Sequence, residues 1–121
     1  ELLLSPGGKG ANQAVAAARL GAEVAFVGAV GKDNYASEII NNLKQNQVNT
    51  EYLSQLENAA SGTAHITLAE GDNSIVVIPA ANMQLTPAMI DAALELIRSA
   101  DIVMVQQEIP LVVIEHVMTW A

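Results

Sequence analysis

Hydrophobic and polar positions along this chain change period several times, and the changes mark out its elements. Ala11 to Leu20 carries small apolar residues at helical spacing, and Gly21 stands where such a helix stops. Val24 to Ala29 (VAFVGA) is a near-continuous apolar run, the pattern of a strand buried on both faces. After a loop at Gly31 to Asn34, Tyr35 to Gln45 places Ile39, Ile40 and Leu43 on one helical face, and Thr50 to Leu56 reads as a short strand. Thr63 to Ala69 and Ser74 to Pro79 are β-prone runs flanking Glu70-Gly-Asp-Asn73, which is turn chemistry and predicts a hairpin. Thr86 and Pro87 supply an N-cap and a first-turn proline for a helix through Arg98. Asp101 to Gln106 predicts a second buried strand, and Pro110 opens a last helix that runs to Trp120.

Alternation of this kind predicts an α/β fold: a mainly parallel sheet flanked by helices, with Val24 to Ala29 and Asp101 to Gln106 in the same sheet. The hairpin is an antiparallel insertion outside that layer. With 121 residues, no internal repeat and no linker, one domain is expected. Glu1-Leu-Leu-Leu lacks an initiator methionine and a secretory pattern, and the final helix stops at Ala121 without a capping residue. A fragment cut at both ends is the expectation.

Composition narrows the function classes. A formal charge of -8, from 5 basic against 13 acidic residues, opposes binding to nucleic acid or anionic membrane surfaces. The apolar runs Ile102 to Val105 and Leu111 to Ile114 are far shorter than the roughly 20 residues that span a bilayer, so a soluble protein is expected. Absence of cysteine excludes disulfides and thiolate metal sites and fits a cytoplasmic setting.

Chemistry concentrates in Gly7-Gly-Lys-Gly-Ala-Asn12, at the mouth of the first helix. A phosphate-binding loop G-x-x-x-x-G-K-[ST] would put Leu3 at its first glycine and Gly10 at its metal-binding hydroxyl, so it fails. The dinucleotide pattern G-x-G-x-x-G fails at Gln13. What remains is a helix N-terminus with unpaired amides, glycines that allow close approach, a lysine that donates and an asparagine that donates and accepts. That set suits a polyol, although a glycine turn with a surface lysine accounts for the spacing equally well. Glu108, just past a strand end, can grip sugar hydroxyls or cap the helix that starts at Pro110. His65 and His116 lack partners at metal-ligand spacing and read as surface or packing residues. Asp33 and Asp72 fall in loops and read as turn supports.

The run from GGKGANQAVAAARLG through GKDNYASEIINNLKQNQVNTEYL, continued by IPAANMQLTP and VMVQQEIP, resembles the N-terminal part of ribokinases, within the phosphofructokinase-B-type sugar kinase family. The resemblance covers essentially the whole chain, and Lys9-Gly10 followed by ANQAVAAARLG favours ribokinases over related fructokinases and nucleoside kinases. It implies transfer of the γ-phosphoryl group of ATP to the 5-hydroxyl of ribose with Mg²⁺, and leaves room for a monovalent cation. It also implies that Gly7, Gly8, Lys9, Gly10, Ala11, Asn12 and Glu108 bind the sugar. Residues 50–56, 63–69 and 74–79 become strands of a lid, whose Ala64, Ile66, Ile75 and Val77 cover the sugar and whose pairing with a second copy makes a homodimer.

The family's asparagine-aspartate sugar motif and its glycine-alanine-glycine-aspartate motif, which supplies the catalytic base, are absent from this sequence. Ala36 replaces a usual glycine, and PAAN a more typical glycine-alanine-asparagine. The resemblance therefore assigns no catalytic residue, metal ligand or nucleotide site here, and implies that this polypeptide alone is inactive. Two other readings stay open: a kinase of another sugar or of a nucleoside, and a non-catalytic sugar-binding or lid-dimerisation module.

Overall fold

A computed structural model describes residues 1–121. Helix α1 (Lys9–Arg19) is followed by β1 (Gly28–Gly31), α2 (Asn34–Gln45), β2 (Leu53–Leu56), β3 (Thr63–Ala69), β4 (Asp72–Ile78), a 3₁₀ turn (Ala80–Gln84), α3 (Pro87–Asp91), α4 (Leu94–Ser99) and α5 (Leu111–Trp120). Gly21 ends α1 as its position predicts: at φ 96° it lets its own amide bond the Ala18 carbonyl and the Ala22 amide bond that of Ala17. The end of α2 repeats these bonds, with Gln47 held at φ 63° where glycine would be unstrained.

Two sheets form. β1 and β2 pair in parallel, Gly28 opposite Leu53 and Gly31 opposite Leu56, extended by a bridge between Ala25 and Asn49. The apolar run at Val24 to Ala29 thus lies in this layer, but its continuous ladder sits further along, on Gly28–Gly31. Residues 50–56, expected among the lid strands, belong here instead, because β2 spends its backbone hydrogen bonds on β1. β3 and β4 form the separate antiparallel hairpin, from Thr63 opposite Ile78 to Ala69 opposite Asp72. Its loop is only Glu70-Gly71, both at positive φ as a two-residue I′ turn requires, so Asp72 and Asn73 are strand rather than turn.

Two further expectations need correction. The helix from Pro87 is broken at Ala92–Ala93 although no glycine or proline marks the spot; the Ala93 amide bonds the Ile90 carbonyl three residues back at 2.9 Å, which tightens the chain out of the α-helical pattern. Asp101 to Gln106 makes no ladder. No backbone–backbone hydrogen bond engages residues 101–109, so the segment joins neither sheet. Its side chains still alternate: Val103 and Val105 pack inward while Ile102 and Met104 are exposed.

Those inward residues join a core of Ala29, Leu85, Ile90, Ile97, Val113 and Val117, which ties β1 to α3, α4 and α5. A second, smaller core of Ala14, Leu43 and Val48, with Val24, Phe26 and Leu53 at its edge, seats α1 and α2 on the sheet. Small alanines on α1 permit that close approach. No helix is long and apolar enough to cross a membrane.

Candidate functional site

The mouth of α1 is built on Gly8, whose φ of 93° turns the chain sharply into the helix and is open to glycine at no steric cost. The Asn12 amide closes the first turn on the Gly8 carbonyl at 2.9 Å, which leaves the amides of Gly10 and Ala11 without a backbone acceptor. The Lys9 amide donates to Glu108 Oε2 at 3.2 Å, and Lys9 Nζ lies 3.8 Å from Glu108 Oε1. Glu108 therefore serves the N-terminus of α1, not that of α5, which has no side-chain cap. One turn further along α1 and two residues before Glu108, Gln106 donates to Gln13 at 2.8 Å. Gly10 backs onto the ring of Phe26, where an added Cβ would sit 3.5 Å from the ring edge.

Of the residues singled out from sequence, the structure thus gathers Gly8, Lys9, Gly10, Ala11 and Glu108 at one place. Gly7 is exposed just ahead of the turn. Asn12 is also exposed and lines an open groove with Val15, Ala16, Arg19 and Asn42. Gln13, Phe26 and Gln106 were not anticipated. The only sequence signal for them was position: Gln13 adjoins the glycine-lysine stretch and Gln106 sits two residues before Glu108.

The hairpin register puts Ala64 opposite Val77 and Ile66 opposite Ile75, so these four side chains share one face, with Leu68 beyond them. All are exposed. His65 lies on the opposite face, its ring 3.3 Å from the Thr63 hydroxyl. His116 sits 2.6 Å from Asp91 and edge-on to Trp120, whose ring carries the Arg98 guanidinium 4.8 Å from its centre. Asp72 accepts only from the neighbouring Asn73 amide.

Asp33 has a larger part than turn support. Its Oδ1 accepts from the Ala36 amide at 2.9 Å, capping α2, and from the Ser61 hydroxyl at 2.8 Å; its Oδ2 accepts from the Ser61 amide at 2.7 Å. The Ser61 amide above all holds the Asp33 carboxyl below the usual carboxylate range, helped by the Ser61 hydroxyl and the Ala36 and Tyr35 amides and opposed by burial. No three His, Asp or Glu side chains gather where a metal ion would be held.

What the site offers is a set of hydrogen-bond donors around one carboxylate, at a helix mouth walled by an aromatic ring. The pattern of the pfkB family carbohydrate kinases matches residues 1–120. A ribokinase of Bacillus subtilis is 62% identical over 105 residues, 87% of this chain and 36% of the relative. A mouse ribokinase is 44% identical over 110 residues, covering 90% of this chain and 34% of the relative. Among solved structures, that of Arabidopsis thaliana ribokinase complexed with ribose and ATP superposes with a TM-score of 0.83 at 36% identity, over 93% of this chain and 39% of the other. The chain spans about a third of the length of the curated relatives it matches. A match running from the first residue to the penultimate one leaves one assignment: this chain belongs to the pfkB family of carbohydrate kinases.

Proposed function

We propose that this chain is the sugar-binding part of a cytoplasmic kinase that transfers the γ-phosphoryl group of ATP to the 5-hydroxyl of D-ribose. The observation that carries the reading is the meeting of Lys9 and Glu108 at the glycine-built mouth of α1. The Glu108 carboxylate accepts hydrogen bonds from sugar hydroxyls, Lys9 Nζ donates to their oxygens, and the free amides of Gly10 and Ala11 add donors. The 3.8 Å contact between Lys9 Nζ and Glu108 Oε1 is solvent-exposed on the lysine side and worth about 1 kcal/mol or less, so a hydroxyl inserts between them at little cost.

Phosphoryl transfer depends on positioning the attacking hydroxyl, neutralising charge and accepting a proton. This chain's residues contribute the first; the base, nucleotide and Mg²⁺ are assigned to no residue in it, so the 121-residue chain alone should not turn over. The apolar hairpin face of Ala64, Ile66, Ile75 and Val77 covers the sugar and excludes water. In this reading the hairpin also pairs with that of a second subunit.

The test is a chimera in which this chain replaces the matching segment of the Bacillus subtilis relative, assayed with ATP on a panel of pentoses, fructose and nucleosides. Ribose should be the preferred substrate, and Lys9→Ala and Glu108→Gln should each raise its KM. Equal or better turnover of fructose or a nucleoside would reject the assignment, as would an unchanged ribose KM in both variants.

A further inference from the structure

The hairpin has little besides its root to fix its direction. Residues 64–78 are exposed throughout, and β3 and β4 have only each other as ladder partners. The root, by contrast, is dense. Ser61 is only 2% exposed, and its hydroxyl donates to Asp33 Oδ1 while accepting from the Gly31 amide at 3.1 Å. One side chain thus links the end of β1, the N-cap of α2 and the start of β3. The departing strand is fixed too: the Ala81 amide donates to the Ala60 carbonyl at 3.0 Å, and an added Cβ on Gly62 would lie 2.6 Å from the Asn82 side chain.

A seven-pair ladder closes the hairpin without any of these bonds. They instead fix how the hairpin leaves the sheet. Removing either partner would leave a buried polar group of Ser61 unpaired, which is strongly unfavourable, so the hydroxyl and the carboxylate hold each other in place. We propose that Asp33 is a positioning residue: by gripping the amide and hydroxyl of Ser61, it sets the angle at which the β3–β4 hairpin stands over the sugar site. This deepens, and rests on, the reading of the hairpin as the sugar's cover.

The chemistry singles out the carboxylate. In Asp33→Asn, the single side-chain oxygen can still cap α2 through Ala36, but the amide nitrogen then confronts the Ser61 N–H, donor against donor. Ser61→Ala removes the hydroxyl, whereas Ser61→Thr keeps it.

Amide hydrogen exchange of Gly62 to Leu68 in the 121-residue chain, without sugar, reads the latch itself. Asp33→Asn and Ser61→Ala should each speed exchange at the root roughly tenfold, the loss expected from one charge-assisted hydrogen bond, while Ser61→Thr stays near wild type. In the chimera, the same two variants should raise the KM for ribose more than they lower kcat, with threonine restoring it. Unchanged exchange in both variants would overturn the latch. Faster exchange with an unaltered ribose KM would overturn the positioning role. A chimera that fails to use ribose at all would sink the functional reading while leaving the exchange result to judge the latch.

Discussion

Gly31 is the residue at which a single methyl group should do most damage. It is buried at the end of β1, and a Cβ built there would lie 2.3 Å from the Ala59 carbonyl oxygen, 2.4 Å from Ala60 C and 2.5 Å from the Ser61 nitrogen. All three atoms are backbone, so no rotamer change relieves the contact. Overpacking of this kind costs about 1–3 kcal/mol, and about 2 kcal/mol is taken where main chain must move. Any retreat of residues 59–61 also stretches the Gly31 amide to Ser61 hydroxyl bond, worth about 1 kcal/mol. A total near 3 kcal/mol follows. For a chain of 121 residues, each kcal/mol shifts Tm by about 4 °C, so Gly31→Ala should melt about 12 °C lower. The assay is thermal unfolding followed by far-ultraviolet circular dichroism, with Gly7→Ala as control, since nothing lies within 4 Å of a Cβ at Gly7. A drop below about 3 °C for Gly31→Ala would show that the 59–61 backbone yields freely, refuting the close-packed root.

Lys9→Ala and Glu108→Gln should change stability by less than about 1 kcal/mol in urea titrations, because their ion pair is largely exposed, yet weaken ribose binding by roughly tenfold or more. Asp33 makes stability pH-dependent in a definite direction. Its folded pKa is lowered, so its contribution is fully present above the unfolded value near about 3.9 and fades as pH falls through the lower folded value. Urea titrations from pH 7 downward should therefore show the gap between wild type and Asp33→Asn constant near neutrality and closing below about pH 4. Ile66→Ser and Val77→Ser, on the exposed hairpin face, should cost only about 0.2–1 kcal/mol by the same titrations, while each raises the ribose KM of the chimera.

Much of the fold was legible because its signals are local. Helical spacing in Ala11 to Leu20 and Tyr35 to Gln45, the glycine after α1 and turn chemistry within Glu70 to Asn73 each carry their own cause within a few residues. What could not be read depends on neighbours. Nothing in Ala92-Ala93 announces a helix break, and Asp101 to Gln106 has a strand's composition without a strand's partner. The same division runs through the site. Glycine at Gly8 was visible as chemistry, but the choice of Glu108 between two helix ends turned on a contact across 99 residues. Asp33 was correctly placed ahead of α2, yet its grip on Ser61, 28 residues away, has no sequence signature.

That long reach between Lys9 and Glu108 has a consequence for synthesis. The α1 helix and its alanine contacts with α2 involve early residues and can form while the chain is still being made. The mouth of α1 cannot be completed then, because its carboxylate arrives 99 residues after its lysine. At about 5–20 residues per second, the interval is roughly 5–20 s. During that time Lys9 and its amide wait without the carboxylate that engages them in the folded chain, until Glu108 emerges.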